Sequence, residues 1–170
     1  MTDNSIKKEN ISLFLKRIEE LGKGEKTALK RSLGQSLSNA DGAAVAAFYR
    51  VLPATVSPWQ ENAFYITAAC ICFWKDITVQ QKTFIDCLAI IGREMDSMDK
   101  RVIALLDTEW NAHDDYFIGK ISRLIRIVKQ KGYAPDFTKL LEDLLLWTLP
   151  DRPVQRKWAK TYFGEKEDNK

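Results

Sequence analysis

Apolar residues in this sequence recur with a period near 3.6 from one end to the other, and nowhere alternate every second position over a strand's length. Spacings of three and four residues gather side chains on one face of a helix, whereas a half-buried strand needs alternation. The chain is therefore expected to be all-α. Ile11, Phe14, Leu15, Ile18 and Leu21 form one such stripe within residues 10–21, and Gly22 closes it. The one candidate hairpin turn, Asp41-Gly42, runs into Ala-Ala-Val-Ala-Ala, a helix-forming run.

Start and stop signals divide the remainder. Residues 25–37 carry Leu29, Leu33 and Leu37, and Asp41 can cap a helix that stops before Pro53. Ser57-Pro58-Trp59-Gln60 has the form of a capping box with proline at the first helical position. Thr78 with Gln81 suggests a further start toward Gly92, and Ser97 a start toward Leu106. Asp114 opens a helix through Lys131, Asp136 one through Leu145, and Pro153 a last one ending at Gly164. The expectation is about nine helices packed as a compact bundle, with no repeat. A single domain over 1–164, with possible lobes 1–95 and 96–164, would be followed by a polar tail over 165–170. With 170 residues and 45% hydrophobic content, the chain can bury one core or two small lobes and is not a disordered polyelectrolyte.

Charge is segregated along the chain. The net formal charge is only +3. By segment, however, 16–50 carries a net +3, 86–115 a net −5 and 119–160 a net +6, as counted from the sequence. In the seventh expected helix Phe117, Ile121, Leu124, Ile125 and Val128 share one arc, and Lys120, Arg123, Arg126 and Lys129 occupy the opposite half. The last helix sets Val154, Trp158 and Tyr162 against Arg152, Arg156, Lys157 and Lys160. Lys23, Lys26 and Lys30 share an arc nearer the start, beside Arg31. Such faces suit a polyanion backbone, and equally suit plain solvated surface.

Catalytic chemistry finds little support. Cys70 and Cys72 point about 160° apart on a helix, and no Cys-x-x-Cys pair or histidine cluster accompanies Cys87 and His113. The three thiols read as buried and reduced, with no metal, no cofactor and no catalytic residue expected. The carboxylate pairs Asp107/Glu109, Asp114/Asp115 and Glu142/Asp143 lack any phosphate-binding or nuclease motif and read as caps and ion-pair partners. Trp74, Trp147 and Trp158 fall on apolar stripes, while Trp59 and Trp110 lie in polar surroundings. Asp3, Lys7, Lys8 and Glu9 argue against a signal peptide, and the apolar stretch 63–74 is too short for a membrane span. A cytoplasmic protein without a membrane partner is expected.

Five segments together resemble one family. Gly24-Glu25-Lys26-Thr27-Ala28-Leu29-Lys30-Arg31 is similar to its opening G-x-x-A-x-L-R-R element, with Thr27 and Lys30 as departures. Ala47-Phe48-Tyr49-Arg50-Val51-Leu52-Pro53 resembles its Phe-Tyr-Arg-hydrophobic-Leu-Pro element, and residues 99–106 its R-(F/V)-x-x-L-L helix. Pro135-Asp136-Phe137 with residues 140–144 and Trp147, and then Gln155-Arg156-Lys157-Trp158-Ala159-Lys160, resemble its C-terminal signature. The family is the CasB-type small subunit of the type I-E CRISPR Cascade surveillance complex, and the resemblance runs from Gly24 to Phe163.

The resemblance implies an all-helical, non-enzymatic subunit present in two copies. Its partners would be the large subunit, the guide-RNA backbone subunits and a second copy of itself. Its basic surface would hold the displaced single-stranded non-target DNA of the R-loop formed by guide RNA and target. Basic positions carried over with the motifs are Lys26, Lys30, Arg31, Arg50, Lys100, Arg101, Arg156, Lys157 and Lys160; Arg123, Arg126 and Arg152 join them on helix geometry. Between Lys75 and Arg93 the sequence departs from the family's glycine-containing basic turn, leaving Lys82 as the nearby cation. Arg31 and Arg50, beside apolar stripes, are the positions best suited to pairing with acids at subunit interfaces instead. The competing reading is a helical adaptor whose basic faces dock acidic protein surfaces without touching DNA.

Overall fold

The computed structural model describes residues 2–74, 82–111 and 115–165, with side chains from residue 7 onward. Among them are nine α-helices and no strand: α1 (Thr2–Glu19), α2 (Lys23–Arg31), α3 (Gly42–Val51), α4 (Glu61–Phe73), α5 (Phe84–Gly92), α6 (Ser97–Leu106), α7 (Tyr116–Gln130), α8 (Phe137–Leu145) and α9 (Pro153–Phe163). Short 3-10 turns lie at Leu37–Asn39 and Pro58–Gln60. The chain divides into two compact units, Met1–Ile77 and Thr78–Lys170. A boundary at 95/96 would part α5 from α6, whereas these two helices pack together in the second unit.

In the first unit α2 packs on α3 and α4, and α1 on α3. Residues 63–71 of α4 are buried without a break, so this helix is apolar all round and sits at the centre of its unit. Phe14 meets Phe64 edge-on at 5.0 Å between centroids, and Phe48 meets Tyr65 likewise at 5.3 Å. In the second unit α5 is the central helix, in contact with α6, α7, α8 and α9. Trp147 and Trp158 cross at 5.2 Å, with Phe117 against Trp147 at 4.9 Å and Phe84 against Trp158 at 5.7 Å.

Most helix ends obey the signals in the sequence. Asp41 accepts from the Ala44 N–H at 2.9 Å, and Asp136 from the Lys139 N–H at 3.1 Å. The Gln60 side chain accepts from the Ser57 N–H at 3.2 Å. After α7, Gly132 takes φ +86°, and the Tyr133 N–H reaches the Val128 carbonyl at 3.1 Å. That left-handed residue and its backward bond satisfy the last free carbonyls.

Five helices have boundaries that differ from expectation. α1 begins at Thr2 rather than Asn10. α2 ends at Arg31, because Gly34 at φ +103° turns the chain before Leu37. Thr83, not Thr78, caps α5: the Asp86 N–H donates to Thr83 Oγ1, and Asp86 Oδ2 accepts from the Thr83 N–H, both at 3.2 Å. Asp96 precedes α6, with Ser97 as its first residue, and Asp115 precedes α7. Thr78, Gln81, His113, Asp114 and residues 166–170 lie outside the described residues.

Candidate nucleic-acid interface

The basic residues follow from the amphipathic periods that fold the helices. On α7 the stripe Phe117, Ile121, Leu124, Ile125, Val128 is buried, which forces Arg123 and Arg126 outward into solvent. Lys120 on the same helix lies over the Tyr116 ring, 4.4 Å from its centroid. On α9 burial of Val154, Gln155 and Trp158 leaves Arg156, Lys157 and Lys160 exposed. On α6 Met98, Val102 and Leu105 are buried, and Lys100 and Arg101 are exposed.

Two contacts bring α6 and α9 together. The Tyr162 hydroxyl donates to Asp99 at 2.7 Å, joining the end of α9 to the start of α6. The Arg152 guanidinium donates to the Leu106 carbonyl, joining the start of α9 to the end of α6. The two helices therefore run antiparallel, and their five exposed cations sit on neighbouring elements. Gly92, at the end of α5, makes room for this arrangement: a Cβ there would overlap the Tyr162 ring, 2.7 Å from Cζ.

Not every cation is available to a ligand. Lys157 bonds Asp143 at 2.6 Å, and the Trp158 indole N–H donates to the other oxygen of that carboxylate at 2.9 Å. Asp143 is 3% exposed, so Lys157 neutralises a buried charge. Arg50 pairs with Glu25 at 2.8 Å across α3 and α2. Arg152 has φ +53°, a left-handed conformation unusual outside glycine, with its guanidinium on the Leu106 carbonyl. Lys30, Arg31, Lys100, Arg101, Arg123, Arg156 and Lys160 are exposed and make no ion pair among the described residues.

In the first unit Lys23, Lys26 and Lys30 line one side of a cleft of about 670 Å³, with Ile18, Leu21, Ile71, Cys72 and Trp74 among its other walls. Lys26 also donates to the Glu19 carbonyl at 3.3 Å. Trp74, expected in the core, is half-buried at the C-terminus of α4 and faces this cleft. The stripe argument misplaced it because the helix ends at Phe73 and the stripe with it. Trp147 and Trp158 are buried as expected, and Trp59 is 70% exposed. Trp110 is half-buried, stacked on Phe117 at 4.7 Å.

Cys70 and Cys87 are buried as expected, whereas Cys72 is half-buried and lines the cleft, because the end of α4 is left partly uncovered. Burial pushes Cys72 and Cys87 up to about 11, Lys26 drawing Cys72 slightly back, and Cys70 rises further still. Among the described residues no three His, Cys, Asp or Glu side chains gather as a metal site, and no helix is long and apolar enough to cross a membrane.

Comparison with known proteins bears on the family and the all-helical fold. The family profile described as CRISPR-associated protein Cse2 matches residues 25–163. The chain belongs to the Cse2 family. A Cse2 protein of Thermus thermophilus is 29% identical over 155 residues, covering 89% of this chain and 86% of its own. A crystal structure of a Cse2-family protein from the same organism superposes with a TM-score of 0.77 at 25% identity, covering 91% of this chain and 98% of that one. A chain from a CRISPR RNA-guided surveillance complex shares the fold, at a TM-score of 0.68 and 23% identity, covering 91% of each chain. The all-α Cse2 architecture is thus shared along nearly the whole chain.

Proposed function

We propose that this Cse2-family chain is a non-catalytic, nucleic-acid-binding subunit of a type I-E CRISPR surveillance complex, the Cascade. In the cytoplasm it would brace the guide-RNA backbone subunits and hold the displaced non-target DNA strand on its basic surface, two copies serving each complex. The observation that carries this reading is the exposed set Lys100, Arg101, Arg123, Arg156 and Lys160, on three helices of one compact unit and without an ion pair among the described residues. In the first unit Lys30 and Arg31 on α2, with Lys26 in the cleft, form a basic group of their own. Lys157, Arg50 and Arg152 act chiefly within the fold.

Exchange of a DNA duplex for an RNA–DNA hybrid is close to balanced, so cations on the displaced strand's backbone can tip it. Phosphate contacts carry no sequence information, as a subunit that serves any guide requires. Arginine's planar fork suits phosphate oxygens better than a point charge does.

A filter-binding titration of the assembled complex with single-stranded DNA at several salt concentrations tests the reading. The triple variant R123E/R126E/R156E, on three exposed side chains, should weaken strand binding by about tenfold or more while the helical signal in circular dichroism is kept. Unchanged strand binding by the folded variant would replace this assignment with the protein-adaptor reading.

A further inference from the structure

The cleft of about 670 Å³ in the first unit has two unlike sides. On one, Lys23, Lys26 and Lys30 stand three and four positions apart on α2, a ridge roughly 10 Å long at 1.5 Å per residue. On the other, Leu21, Cys72 and Trp74 are half-buried, above a floor of buried Ile18 and Ile71. Residues 63–71 of α4 are buried without a break, and the chain that follows then leaves apolar surface partly open in the same cleft as the lysines.

The charge in the cleft limits what can cover that surface. The three ammonium groups have no acid partner among the described residues, and Lys26 donates to the Glu19 carbonyl instead. Three lysines against Glu19, the one carboxylate on the described walls, leave the cleft at a net +2. An occupant therefore needs anionic groups along one edge and apolar surface along the next. A nucleotide supplies the anion, but its flat base suits the indole of Trp74 and not the branched Leu21 or the Cys72 thiol. The cations are point charges, with no arginine fork for phosphate among the described walls.

We propose that this cleft docks about two turns of an acidic amphipathic helix from a partner protein. Carboxylates three and four residues apart lie along one edge of a helix, at the same spacing as Lys23, Lys26 and Lys30. Leucine-like side chains on the adjoining face then cover Leu21, Cys72 and Trp74. Lys26 and Lys30 accordingly meet carboxylates rather than phosphates. The docking site needs none of Lys100, Arg101, Arg123, Arg156 or Lys160, and stands whether or not those cations hold DNA.

The full-length protein titrated against a fluorescein-labelled peptide of about fourteen residues, four helical turns, tests the proposal. The peptide carries glutamates along one helical edge and leucines along the next. Its anisotropy should rise to saturation, and binding should be several-fold weaker with glutamine in place of glutamate or serine in place of leucine. Lys23→Glu with Lys30→Glu, both at exposed side chains, should weaken binding about tenfold or more at an unchanged thermal midpoint. Bound peptide should also slow alkylation of Cys72 by a maleimide, read by mass mapping. Absent binding by the folded protein would overturn the proposal, as would equal affinity for the serine peptide, the mark of bare charge attraction. Stronger protection of Cys72 by oligodeoxythymidine than by the acidic peptide would also overturn it, and would give the cleft to the strand.

Discussion

Gly92 and Asp143 set terms that the rest of the second unit obeys. Gly92 has to lack a Cβ, because the Tyr162 ring passes over it to reach Asp99. Gly92→Ala should cost about 1–3 kcal/mol, since ring and helix end must part; the drop in urea midpoint measures it. Asp143 is a buried carboxylate satisfied by an ammonium on one oxygen and an indole N–H on the other. Asp143→Ala strands the buried Trp158 indole N–H, while the exposed Lys157 ammonium stays solvated, and should destabilise the fold by about 1–3 kcal/mol. Lys157→Met leaves the buried Asp143 charge without its counter-ion and should be the costlier change, about 3–5 kcal/mol in the same urea titration. Neither role was legible in sequence. A glycine at a helix end looks like an ordinary stop signal, and in the sequence Asp143 is one of many acids able to pair. Only the convergence of α5, α6, α8 and α9 shows what each residue meets. The thiols differ, since an apolar setting already marks them for burial in the sequence. Cys70 and Cys87, held protonated by that burial, should react with a disulfide reagent at pH 8 far more slowly than a free thiol, and at full rate in guanidinium.

At the level of helices, sequence and structure agree where the signal is local. The 3.6 period places α3, α7, α8 and α9, and the caps at Asp41 and Asp136 form as their side-chain chemistry requires. Agreement fails where tertiary contacts decide. α2 stops at Arg31 although Leu33 and Leu37 continue its spacing, because Gly34 adopts a conformation that ends a helix. The outward faces of α7 and α9 were legible for the same reason as their cores, being the complement of the apolar stripe. Which cations remain unpaired was not, since Lys157 and Arg50 find acids 14 and 25 residues away. Arg156→Ala on α9 should therefore lower strand affinity more than Lys157→Ala does at matched fold stability. Competition binding with labelled single-stranded DNA compares the two.

For the molecule as a whole, electrostatics predicts a number that no single contact does. Each neutralised phosphate of a single strand contributes about −0.7 to the slope of log affinity against log salt. Replacing Arg123, Arg126 and Arg156 with alanine should flatten that slope by about 2 if all three touch the backbone. The two compact units also differ in how local their contacts are. The first is assembled from α1 to α4, close in sequence, whereas the second needs α9 to cover α5. On a ribosome adding about 5–20 residues per second, Trp158 emerges roughly 3 to 13 s after α5 is complete. During that interval Phe84 lacks the Trp158 ring that covers it, so the nascent chain carries a partly uncovered helix that its own synthesis is slow to close. A chaperone that binds short apolar segments would find its window there, and one that arrived after α9 would find nothing to hold.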